Sequence, residues 1–120
     1  MADFLSNRTL SPKQHAFLDY GMAATFLSLA FRFRGRNNAA STLAFITGGM
    51  ILGISLFTDY PGGVWRRISF KTHQKLHAIQ AAITGIGPSV LGFGHTGAAR
   101  TFQSQAASEA GVIAMTDWED

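Results

Sequence analysis

Uncharged stretches alternate with short basic clusters along this chain. From Asn37 to Thr58 there are 22 residues without a charge, enough as a helix to cross a hydrocarbon core of about 30 Å. A second uncharged stretch runs from Leu76 to Ala99, interrupted by His77, Pro88 and His95, and a third, Ala16 to Phe31, holds one acid, Asp19. Between Arg100 and Thr116 the alanines are mixed with Gln103, Gln105 and Glu109, groups that are costly against lipid. Hydropathy by itself predicts three spans.

Internal similarity raises that number. Sliding the chain on itself by 58 residues gives eleven identities, among them Ser11/Ser69, Lys13/Lys71, His15/His73, Leu18/Leu76, Gly53/Gly111, Thr58/Thr116 and Asp59/Asp117. They gather where helix starts and ends are signalled. Ser11-Pro12 supplies an N-cap and a first-turn proline, Gln14 completes a capping box, and Ser69 takes the same place further on. The expected fold is an all-α, polytopic membrane four-helix bundle in one domain, 1–120. It consists of two tandem helix-hairpin repeats, about 8–60 and 66–118.

Composition narrows the class. With 47% apolar and 14% charged residues, 13 Gly, 10 Phe and no Cys, the chain is neither a disordered tail nor a disulfide or thiolate-metal module. The net charge of +3 lies in clusters flanking apolar stretches (Arg8/Lys13; Arg32/Arg34/Arg36; Arg66/Arg67/Lys71/Lys75), a pattern suited to anionic headgroups and not to nucleic acid. No removable signal peptide is expected at the N-terminus. The positive-inside bias places both termini in the cytoplasm of a prokaryotic cell, with the chain in its inner membrane.

Several residues could carry chemistry. His73 and His77 lie one helical turn apart, and His15 is the 58-residue counterpart of His73; two such imidazoles could ligate haem iron or another metal. No carboxylate or thiolate completes a metal set and no c-type attachment motif occurs, so the simpler expectation is that His15 and His73 sit at headgroup depth, bonding the linker or lipid phosphate. Asp19, one turn below His15, is expected to pair with it or to contact His77, with proton handling as the functional alternative. Gly49-x-x-x-Gly53, Ala81-x-x-x-Gly85 and Ala107-x-x-x-Gly111 have the spacing of close helix packing faces between the repeats. Tyr60 and Trp65 beside Arg66 and Arg67 form an interfacial anchor pattern. Gly92 to Gly97 is formally GxGxxG with Asp117 about twenty residues on, the basis of a soluble dinucleotide-binding alternative. The chain holds too few strand-like segments to build the sheet that such a site needs, and a turn between helices is the simpler reading. No Ser/His/Asp triad, P-loop or HExxH occurs, so no enzyme activity is expected.

The segment TDYPGGVWRRISFKTHQKLHAIQAAITGIGPSVLGF resembles the SPW-repeat family of small integral membrane proteins. The resemblance matches Thr58, Asp59 and Tyr60 to a repeat end, Arg66 and Arg67 to the basic linker, and His73 and Leu76 to the start of the next helix, with His15, Leu18 and Asp19 the first-copy counterparts. The eponymous motif is degraded: Pro88, Gly92 and Phe93 remain, Gly87 and Ser89 replace its Ser and Trp, Phe33 alone survives in the first copy, and His77 stands where Asp is expected. The resemblance implies paired transmembrane helices and no assigned chemistry. The chain is thus expected to be a structural or accessory subunit, or to bind lipid or a membrane partner, as a homo-oligomer or within a larger complex, without nucleic acid and without a resident cofactor.

Overall fold

The computed structural model describes residues 10–118; Arg8, at the edge of the first expected repeat, lies outside them. The described residues form four helices: α1 (Pro12–Phe33), α2 (Asn38–Phe57), α3 (Phe70–Val90) and α4 (Gly97–Met115). Extended pairing among them is limited to two isolated backbone bridges.

Local chemistry sets the boundaries. The Ser11 side chain accepts from the Gln14 amide at 3.2 Å while the Gln14 side chain accepts from Ser11 N–H at 2.9 Å, a complete capping box. Asn37, Ser69 and Thr96 cap the other helices through the amides of Ala40, Thr72 and Ala99. α2 and α4 both end at a threonine, Thr58 and Thr116. Pro88 lies near the end of α3, and the Phe93 amide reaches its carbonyl at 2.8 Å as the chain turns toward α4. That turn contains Gly92 at a φ of 82°. The stretch Gly111–Met115, strand-like in sequence, is helical, so the flanking strands of a dinucleotide unit do not form.

α1 packs on α2, α3 on α4, and α2 on α3. An aromatic core ties α1 to α4, with Phe102 stacked on Phe26 at 5.9 Å and on Phe33 at 6.1 Å and edge-on to Phe93 at 5.6 Å. Small residues on α1 and α2 (Ala23, Ala30, Ala40, Ala44) bring the helices close. The close glycines are Gly48, where a Cβ would lie 2.9 Å from Leu27 Cγ, and Gly87, where it would lie 2.7 Å from Leu43 Cδ2. This corrects the expected packing faces. Gly49, Gly53 and Gly111 meet nothing within 4 Å and Ala107 is exposed, because one residue is a 100° rotation and turns the α2 approach to Gly48. Ala81 is buried, and Gly85 does pack, on Ala106.

The interior holds polar groups beside an apolar core that includes Phe26, Leu43, Ile51 and Phe102. His15, Asp19, Thr47, His73, His77, Gln80, Thr84 and Glu109 are buried, whereas Phe17, Phe31, Phe45, Ile79, Ile86 and Val90 are exposed, Phe17 by 79%. By length and composition one helix among the described residues, α2, qualifies as a membrane span, with only 39% of its apolar window buried in the bundle. Glu109 faces inward, while Gln103 is exposed.

Candidate functional site

The helix starts and ends meet at one end of the bundle. The Leu10 amide donates to the Met115 carbonyl and the Asp117 amide to the Leu10 carbonyl; the Ile68 amide donates to Phe57 and the Asp59 amide to Ile68. Each bond in the second pair joins residues lying 58 positions from their counterparts in the first, taken around the bundle. The two short bridges thereby place Thr116 beside the start of α1 and Thr58 beside the start of α3.

Into that end project four side chains, His15 and Asp19 from α1 and His73 and His77 from α3, all at most 3% exposed. Asp19 Oδ2 lies 3.3 Å from His15 Nε2 and 3.0 Å from His73 Nε2, and those two nitrogens are 3.3 Å apart. Tyr60 O–H donates to the same oxygen at 3.0 Å. Burial and the adjacent Asp19 carboxylate push the Tyr60 phenol well above its ordinary range, so it remains a donor.

The threonines decide how the imidazoles are protonated. Thr58 O–H donates to the Ile54 carbonyl at 2.6 Å, and Thr116 O–H donates to the Val112 carbonyl at 2.5 Å. A hydroxyl has one proton to give. Toward His73 Nδ1 at 2.7 Å and His15 Nδ1 at 2.8 Å, each threonine oxygen must therefore accept, which assigns N–H to Nδ1 of both rings. In the neutral rings both Nε2 atoms then carry lone pairs, aimed at each other and at a carboxylate oxygen. Such a convergence of acceptors in a buried place requires positive charge among them, as protons or as a metal ion.

His77 occupies the remaining side. Neither of its ring nitrogens has a hydrogen-bond partner among the described residues, and neither does Asp19 Oδ1. One ligand atom from each of His15, Asp19, His73 and His77 lies within 4.8 Å of every other. Phe70 and Trp118 close the outer end, their rings 4.5 Å apart and Trp118 4.9 Å from His15.

A second polar group continues inward. A cavity of about 10 Å³, lined by Asp19, Ile51, Ile54, Ser55, His73, His77 and Gln80, separates the cluster from Gln80. The Gln80 amide nitrogen donates to Thr84 Oγ1 at 2.7 Å and to Glu109 Oε2 at 3.2 Å, and Thr84 O–H lies 3.4 Å from Thr47 Oγ1. This accounts for the glutamate in α4, which faces protein of its own chain.

Several expectations are corrected here. His15 and His73 lie at the starts of α1 and α3, as expected, and their partners there are the helix-ending Thr116 and Thr58, inside the bundle. Asp19 is the carboxylate that completes a metal-capable set. Tyr60 is 3% exposed and belongs to the cluster; of the expected anchor, Trp65, Arg66 and Arg67 are exposed, with Trp65 stacked on Phe57. Tyr60 turns inward because Gly62 takes a φ of 104° and Gly63 lies where any Cβ would strike the Thr58 carbonyl. Thr58 and Thr116 were visible as a repeated pair but not as histidine partners.

No family model matches this chain, and no match to it was found among curated proteins or solved structures.

Proposed function

We propose that this chain is a small integral membrane protein of two tandem helix-pair units, acting as a non-catalytic binding or accessory protein whose working part is the His/Asp cluster between the units. The carrying observation is that ionisable and amide groups are buried between helices while Phe17, Phe31, Phe45, Ile79, Ile86 and Val90 face outward, an arrangement that suits a lipid surround. The 58-residue correspondence of the bridges and of the His/Thr pairs supports the two-unit organisation. It also fits the proposed likeness to the SPW-repeat family. The apolar exterior is the surface for lipid and for a second copy or a membrane partner, and orientation with cytoplasmic termini is part of the proposal.

The cluster adds a specific role to that accessory reading. Its geometry offers a place where a bound cation can stand in for a proton, and the two units contribute equally to it. Fractionation of expressing cells with an alkaline carbonate wash tests the membrane placement. The full chain should stay in the pellet and leave it with detergent; release into the carbonate supernatant contradicts the proposal.

A further inference from the structure

We propose that His15, Asp19, His73 and His77 bind a single divalent transition-metal ion of borderline softness, with zinc(II) the best match. The inference rests on the cation-binding reading above and specifies the cation.

Three of the four groups have the spacing of a coordination polyhedron. Two imidazole nitrogens bonded to zinc at 2.0–2.1 Å in a tetrahedron are about 3.3 Å apart, and a nitrogen and a carboxylate oxygen are separated by nearly the same distance. The three separations, His15 Nε2 to His73 Nε2 at 3.3 Å and these nitrogens to Asp19 Oδ2 at 3.3 and 3.0 Å, match the three edges of one face of such a tetrahedron. His77 lies on the remaining side, with a ring nitrogen within 4.8 Å of the other three ligand atoms, both ring nitrogens unpartnered among the described residues and 3% exposure, so a small inward shift of its ring would complete the set. A buried imidazole without a hydrogen bond is costly unless something else engages it.

The outer sphere is also that of a metal site. Ligating histidines usually give their other N–H to a fixed acceptor, which sets the tautomer and the ring orientation. His15 and His73 both do so, through Thr116 and Thr58, whose own protons are held by helix carbonyls. Tyr60 donates to the ligating carboxylate oxygen. Three imidazoles and one carboxylate form a borderline nitrogen/oxygen set, suited to zinc and its first-row neighbours and too rich in nitrogen for magnesium or calcium. Haem is disfavoured, since two Nε2 atoms 3.3 Å apart leave no room for a macrocycle between them.

The test uses the full chain in detergent, stripped with a chelator, reloaded with zinc(II) or cobalt(II), and desalted before elemental analysis and visible spectroscopy. The wild type should retain about one ion per chain, and the cobalt form should show the intense visible bands of a four-coordinate ion. His15→Gln and His73→Gln should lose retention. His77→Gln breaks no hydrogen bond of the fold but loses ring contacts with His15 and His73, so its fold is checked by circular dichroism; it removes a ligand and should turn the cobalt spectrum away from the four-ligand form. Thr58→Val and Thr116→Val should each weaken zinc by about 10–100-fold with the ligands intact. Absence of stoichiometric zinc and cobalt in a helical, monodisperse wild type overturns the metal proposal and leaves the cluster held by protons. Equal retention by wild type and His77→Gln with an unchanged cobalt spectrum overturns the four-ligand site. Membrane retention is read separately in carbonate, so a failure of the membrane reading and a failure of the metal site are distinguishable.

Discussion

Neutralising one buried acid should cost far more than neutralising an exposed one. Asp19 Oδ2 receives the Tyr60 hydroxyl and faces His15 and His73 at 3.0–3.3 Å, with 1% exposure. Asp59 stands 3.9 Å from Arg66 with both side chains more than half exposed. The substitution Asp→Asn is nearly isosteric and removes one charge in each case. At Asp19 it leaves the positive charge of the cluster without its counter-charge in a place water does not reach. Breaking a buried charge pair costs about 3–5 kcal/mol, whereas an exposed pair contributes about 0–1 kcal/mol. In reversible unfolding of the purified chain in mixed micelles, followed by circular dichroism, Asp19→Asn should destabilise by about 3–5 kcal/mol and Asp59→Asn by less than about 1 kcal/mol. A penalty at Asp19 no greater than that at Asp59 would refute the claim that the cluster is a charged, buried linkage between the units.

Further expectations follow from packing. Gly48→Ala should destabilise the α1/α2 contact by about 1–3 kcal/mol through overpacking on Leu27, while Gly49→Ala, with open space around it, should be neutral or stabilising by up to about 1 kcal/mol; the same unfolding assay reads both. Phe102→Ala removes the fully buried ring that joins Phe26, Phe33 and Phe93, and should cost about 3–5 kcal/mol, visible as a large loss of thermal stability. Tyr60→Phe leaves the ring in place and removes one hydrogen bond to a carboxylate; a loss of about 1.5–3 kcal/mol is expected in the same assay, and no loss would place the phenol outside the cluster.

Local signals were the most legible in the sequence. The capping box at Ser11 and Gln14 and the cap at Ser69 depend on residues three apart, and they formed as read. The uncharged run Asn37–Thr58 likewise became α2. The 58-residue correspondence put His15 with His73 and Asp19 with His77, yet it could not show that each histidine reaches across to the end of a helix in the other half. That crossing depends on the backbone bridges of Leu10 and Ile68, which leave no mark in composition or periodicity. Tyr60 was misread because an aromatic next to arginines looks interfacial in one dimension, while its inward turn depends on the space left by Gly63. The packing glycine was missed by a single position, since GxxxG spacing names a face but not the rotation of the helix about its axis. Glu109 stood out as a costly group in α4, and only the packing of α4 against α3 joins it to Gln80 and Thr84.

The central claim is that two imidazoles are fixed through Thr58 and Thr116 so that their Nε2 atoms converge on Asp19. Nitrogen NMR of histidine-labelled protein in micelles, assigned with His15→Gln and His73→Gln, reads it directly. His15 and His73 should both carry a hydrogen-bonded proton on Nδ1, with these signals shifting in Thr116→Val and Thr58→Val respectively. An unprotonated Nδ1 on either ring would contradict it.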